Sequence, residues 1–120
     1  MDGIRLGLVE THFANIVWDS APLSSGELVK YCEVELGWKK STTYTVLKKF
    51  CERGIFQNVE GIVSICVPKD EFYAMQTEKY VDETFQGSLP AFIAAFTSRK
   101  TLSEEEIAEI RMMIDAQKES

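Results

Sequence analysis

Long apolar runs are missing from this chain. Its longest are only a few residues, against the roughly 20 that a membrane-spanning helix needs. The N-terminus also lacks a basic-then-apolar leader pattern, so no membrane insertion and a cytoplasmic location are expected. Cysteine is scarce: Cys32, Cys51 and Cys66 are odd in number, widely spaced and without a C-x-x-C or C-x-C pair. That excludes a disulfide framework and a four-ligand metal site, and it reads as free thiols packed like small apolar groups. There is one histidine, His12, with no second histidine or cysteine near it; it reads as a surface residue, not a ligand or base. No phosphate-cradling glycine loop and no nucleophile beside a base appears either. No catalytic residue, metal or cofactor is expected.

What remains is an ordinary globular composition, 45% hydrophobic over 120 residues, the size of one domain or of one small domain plus an oligomerisation segment. The net charge is -6, but it is unevenly spread. Between residues 39 and 53, Lys39, Lys40, Lys48, Lys49 and Arg53 face only Glu52, a local net of +4. From residue 103 onward the balance reverses, with Glu104, Glu105, Glu106, Glu109, Asp115 and Glu119 against Arg111 and Lys118. Such asymmetry suits a chain whose two parts do different jobs.

The basic stretch organises the rest. Thr43, Val46, Leu47 and Phe50 recur at i, i+3, i+4 and i+7, an inward helical stripe. The opposite face of residues 38–50 shows Lys40, Ser41, Thr42, Tyr44, Thr45, Lys48 and Lys49 and no carboxylate. Cations and hydroxyls in that arrangement suit phosphate oxygens and base edges. A solvated helix that merely happens to be basic has the same pattern.

Taken in order, Leu6, Val9, Phe13, Ile16 and Val17 predict a first helix of about a dozen residues, closed by Trp18 before Asp19-Ser20-Ala21-Pro22 breaks it. Ser24-Ser25-Gly26-Glu27 has the spacing of a capping box opening a second helix, with Leu28, Val29 and Cys32 inward and Gly37 as its stop. A tight glycine turn then leads to the basic helix, the order of a helix-turn-helix. Ile55 to Val59 and Ile62 to Val67 are rich in β-branched residues and flank Glu60-Gly61, which predicts a hairpin ended by Pro68. The fold class expected is mainly α with a small β-hairpin: a winged helix-turn-helix over residues 1–70, followed by a helical segment over 71–120.

That segment reads as three helices. Phe72, Met75, Lys79, Tyr80 and Thr84 or Phe85 mark the first; Leu89, Phe92, Ile93 and Phe96 mark a short second. The third opens at Leu102-Ser103-Glu104-Glu105-Glu106, where capping and the helix dipole account for the three adjacent acids. It continues through Ile107, Ile110 and Ile114. So many large apolar side chains in about 50 residues cannot easily be buried on themselves, and the segment reads as a dimerisation element. Its packing against the winged helix within one monomer is the alternative.

In its motifs the chain resembles the penicillinase-repressor family, which includes repressors of β-lactamase and methicillin-resistance operons and copper-responsive repressors. The likeness runs from about Leu6 to Ile114. It rests on Ile16-Val17-Trp18, on Ser24 to Val29, on Trp38 before Thr42 to Phe50, and on Thr77, Phe85-Gln86-Gly87-Ser88, Phe96 and Leu102 to Ile107. The resemblance implies a homodimeric repressor whose winged helix binds a palindromic double-stranded DNA operator. Base-edge contacts would fall to Ser41, Thr42, Tyr44 and Thr45, and phosphate contacts to Lys40, Lys48 and Lys49.

Four departures qualify it. Glu60-Gly61-Ile62 stands at the wing tip where the family tends to carry basic residues, and Glu60 would repel phosphate. Tyr44 stands where several relatives have Gln, implying a different operator preference. Members induced by a sensor protease are cut at an Asn-Phe bond, which here corresponds to Ala95-Phe96. Copper-responsive members carry C-x-C ligands near the C-terminus, and no cysteine follows Cys66. A sensor protease or another inducing factor is therefore a possible partner of unassigned kind. The acidic total and the wing tip leave a second reading open, a winged-helix protein-interaction module without specific DNA binding.

Overall fold

The computed structural model describes residues 7–118. Leu6 and Glu119, which figure in the readings above, lie outside the described residues. The elements are α1 (Leu8–Ser20), β1 (Leu23–Ser24), α2 (Ser25–Leu36), α3 (Lys40–Glu52), β2 (Phe56–Val59), β3 (Ile62–Ile65), α4 (Lys69–Phe85), α5 (Leu89–Thr97) and α6 (Glu104–Lys118). This is a mainly helical chain with a small antiparallel sheet, the class the patterning predicts. No helix among the described residues is long and apolar enough to cross a membrane. The chain divides into two compact units, residues 1–77 and 78–120, with the boundary inside α4.

In the first unit, α1 buries Phe13, Ala14, Ile16 and Val17. Its first turn stands clear of the core: Leu8 is exposed and Val9 is 52% exposed, so the inward stripe starts one turn later than the periodicity suggests. His12 is exposed, with its Nε2 3.0 Å from a carboxylate oxygen of Glu35 on α2. The α2 capping box forms as its spacing predicts. The Glu27 amide donates to Ser24 Oγ, and the Ser24 amide donates to a Glu27 carboxylate oxygen, both at 3.0 Å. The Ser24 amide and hydroxyl hold the Glu27 carboxyl below its ordinary range. Gly37 ends α2 at φ 67°, a left-handed conformation where a side chain would be strained.

Behind the basic helix, Thr43, Leu47 and Phe50 are buried and Val46 is half-buried. Phe50 packs between Phe13, against which it is tilted, and Phe56, on which it stacks, at ring-centroid distances of 5.4 and 5.2 Å, so α3 is clamped to both α1 and the hairpin. Trp18 does more than close α1. Its indole Nε1 donates to the Val67 carbonyl at 3.1 Å, and its ring packs on Phe56 and Phe72. Phe72, only 3% exposed, and Tyr73 thus pack with the first unit although they lie beyond residue 70.

The hairpin pairs β2 with β3 in the register Phe56↔Ile65 to Val59↔Ile62. Glu60 and Gly61, both at positive φ, make its two-residue turn. The sheet has a third member that the sequence pattern does not announce: β1 pairs with β3 through Leu23↔Val63 and Ser24↔Ile62, giving the order β1-β3-β2. The three cysteines are free, but only Cys32 is buried and Cys51 half-buried, each with its thiol pKa raised by that burial. Cys66 is exposed, against the expectation that all three pack as small apolar groups.

In the second unit, Ser88 caps α5 by accepting from the Ala91 amide, and Ser103 with Glu106 forms the expected capping box of α6. Tyr80, Phe85 and Phe92 meet edge to face with centroids 5.7 to 6.2 Å apart, and Phe96 continues the row at 6.5 Å from Phe92. This ring cluster orders the unit without closing it over. No residue of α5 or α6 is fully buried. Ile107 and Ile110 are half-buried, whereas Tyr80, Leu89, Ile93, Phe96 and Ile114 are exposed.

Candidate nucleic-acid interface

The turn between α2 and α3 is built from residues with separate tasks. The Gly37 amide donates to the Cys32 and Glu33 carbonyls, and Trp38 lays its ring on Phe13 at 5.6 Å. Those contacts fix where α3 begins. Lys39 is its N-cap and provides no side-chain hydrogen bond, and the first turn carries no acid. The amides of that turn stay open to an anionic acceptor, the arrangement that binds phosphate at helix starts.

Lys40, Ser41, Thr42, Thr45, Lys48 and Lys49 are all exposed. Ser41, Thr45 and Lys48 fall at i, i+4 and i+7, so they form one row along the outer face. Thr45 spends its hydroxyl proton on the Ser41 carbonyl at 2.9 Å, which leaves its oxygen as an outward acceptor beside its methyl group. The next member of the row is Glu52, exposed in the last turn of α3. The acid-free face therefore spans three turns and ends in a carboxylate.

Two of the seven residues singled out from the sequence are differently placed. Tyr44 is half-buried, and its hydroxyl donates to Ser25 Oγ at the start of α2 over 3.0 Å. Lys49 is exposed, but its Nζ lies 3.5 Å from a carboxylate oxygen of Glu10 on α1. Neither link is legible in the local pattern, because the partners are separated by 19 and 39 positions. The helical period sorts inner from outer residues. It is silent on what a neighbouring helix places against the flank.

The hairpin adjoins this helix through β2. Val59 and Ile62 are paired across the two strands beside the turn and are exposed, as are Glu60 and Gly61. The tip is thus apolar and acidic, with no cation of its own. The Gly61 carbonyl accepts from the Ser25 amide at 2.8 Å, tying the turn to the start of α2.

Helix, turn, exposed basic helix and adjoining hairpin together define a winged helix-turn-helix, a DNA-binding class. The chain belongs to the penicillinase repressor family, whose model matches residues 6–116. It is similar to the penicillinase repressor of Bacillus licheniformis, with 20% identity over 113 residues, 91% of this chain and 88% of that protein. It is likewise similar to the methicillin resistance regulatory protein MecI of Staphylococcus aureus strain Mu50, with 19% identity over 116 residues, 92% and 94% of the two chains. The family is one of transcriptional repressors.

Proposed function

We propose that this chain is a homodimeric repressor in which residues 1–70 bind one half of an inverted-repeat operator and residues 71–120 form the dimer. The observation that carries the reading is the exposed, three-turn, acid-free face of α3 in a chain whose net charge is -6. Ser41, Thr42 and Thr45 face base edges, Lys40 and Lys48 face phosphates, and the open first-turn amides of α3 add to the anion-binding surface. Tyr44 and Lys49 flank that surface.

The dimer is supported by Leu89, Ile93, Phe96 and Ile114, which are exposed, and by Phe85, Phe92, Ile107 and Ile110, which are only half-buried. Together with Tyr80 they leave a series of large apolar side chains uncovered, the kind of surface that suits a protein contact. Relief of repression by a sensor protease at Ala95-Phe96 belongs to the same proposal. That bond lies in the last turns of α5, with the Ala95 carbonyl accepting from Ser98 Oγ at 2.7 Å, so cleavage requires α5 to unwind there.

Replacing Lys40 and Lys48 by Ala lowers affinity on every duplex and flattens the salt dependence by about one unit of log–log slope per lysine. Replacing Ser41, Thr42 or Thr45 by Ala instead shifts the preferred sequence. Equal losses on all duplexes for both sets defeat the assignment. One observation favours the second reading, a protein-interaction module: the Val59–Ile62 pair beside Glu60 is a poor phosphate ligand and a fair apolar contact. A chain that retains no duplex at low salt would turn attention to that surface.

A further inference from the structure

Ser25 makes two contacts that no motif announces. Its backbone amide donates to the Gly61 carbonyl in the hairpin turn at 2.8 Å, and its hydroxyl accepts from the Tyr44 hydroxyl at 3.0 Å. It is also the first residue of α2, directly after the Ser24 cap, and Ser24 is itself paired with Ile62 of β3. Three elements therefore meet at one residue: the hairpin turn, the start of α2 and the flank of α3.

The Tyr44 link is part-buried, so water competes for it less than for an exposed pair. Gly61 sits at φ 79° in a turn whose other residue, Glu60, is also left-handed. A two-residue turn of that kind has little freedom to reorient its carbonyl. The Ser25 amide thus holds a stiff turn, and the Ser25 hydroxyl holds a ring whose body packs against the core.

We propose that Ser25 is a positioning residue that fixes the hairpin turn and the Tyr44 flank of α3 to a single point, setting their spacing before DNA is met. Tyr44 then acts as a strut and not as a base reader. This rests on the DNA-binding reading above. Preorganisation of this kind strengthens specific docking, where both elements must fit at once, more than non-specific attraction to phosphate.

The test combines binding and backbone exchange on the full-length chain. Tyr44→Phe keeps the ring and deletes only the hydroxyl; Ser25→Ala deletes the acceptor; Ser25→Thr keeps it. Each deletion is expected to weaken binding to the best duplex selected from a random pool by about 3- to 10-fold, with a smaller loss on random duplex. The double variant should lose no more than either single, and Ser25→Thr should recover most of the affinity. Hydrogen exchange at the Ser25 amide should quicken in Tyr44→Phe while the melting temperature stays near that of the unaltered chain. Unchanged binding and exchange in Tyr44→Phe would overturn the proposal, as would losses that multiply in the double variant. If the unaltered chain retains no duplex, it is the DNA-binding reading that has failed. Exchange at Ser25 then decides the link alone: faster exchange in Tyr44→Phe upholds it, and unchanged exchange removes it.

Discussion

Thr43 is the only buried polar residue among those described, and its hydroxyl makes no hydrogen bond of good geometry. The helical period puts it inward with Leu47 and Phe50, and that much is legible in the sequence. What it meets there is not legible, because it depends on α2: the neighbour is the thiol of Cys32, a soft and weak partner. A buried hydroxyl with only a weak partner costs stability, and Val has nearly the shape of Thr without the hydroxyl. Thr43→Val should therefore raise unfolding stability by about 1 kcal/mol, read from the denaturant midpoint at unchanged slope. A loss of similar size would show that the hydroxyl has a partner in solution. Cys66 teaches the same lesson in reverse. An odd, unspaced cysteine reads as a packed thiol, but position 66 lies in the bend that follows β3 and its side chain is exposed.

Among the elements, those with strong signals are where the periodicities put them. The capping box opens α2, Gly37 stops it, the inward stripe of α3 is intact, and Glu60-Gly61 turns the hairpin. The strand β1 escapes such reading, since two residues cannot show an alternation and their pairing with β3 is long-range. The same limit hides the bridge from Lys49 to Glu10. With Lys49 62% exposed, that bridge contributes little to stability, roughly 0–1 kcal/mol, but it holds one cation back from the surface of α3. Glu10→Gln should leave the melting temperature nearly unchanged and tighten binding to all duplexes about 2- to 5-fold, with a salt slope steeper by up to about one. Binding that is unchanged or weaker on titration at low salt would show that Lys49 does not reach the DNA once freed.

At the scale of the whole molecule, the sum of charge misleads and its distribution informs. Residues 1–77 carry ten acids against eight cations and residues 78–120 nine against five, so the second unit holds the larger share of the net -6, while α3 carries a local excess of cations. The aromatic cluster of the second unit was legible as apolar periodicity, but its incomplete cover was not, since exposure depends on how three helices meet. If that open surface is the dimer contact, Ile93→Asp should convert the chain to a monomer in sedimentation while circular dichroism keeps its helical signal. Affinity for a two-half-site duplex would fall about 100-fold or more as the second site loses its effective concentration. A variant that still sediments as a dimer would remove α5 from the interface.

The most direct measurement is selection of bound duplexes from a random DNA pool at two salt concentrations. Two recognition helices in successive major grooves sit about 34–36 Å apart. The prediction is thus an enriched inverted repeat with half-sites one helical turn apart, retained at low salt and released as salt rises. Enrichment of a single unrepeated site would contradict the dimer, and no enrichment at low salt would contradict operator binding through α3 itself.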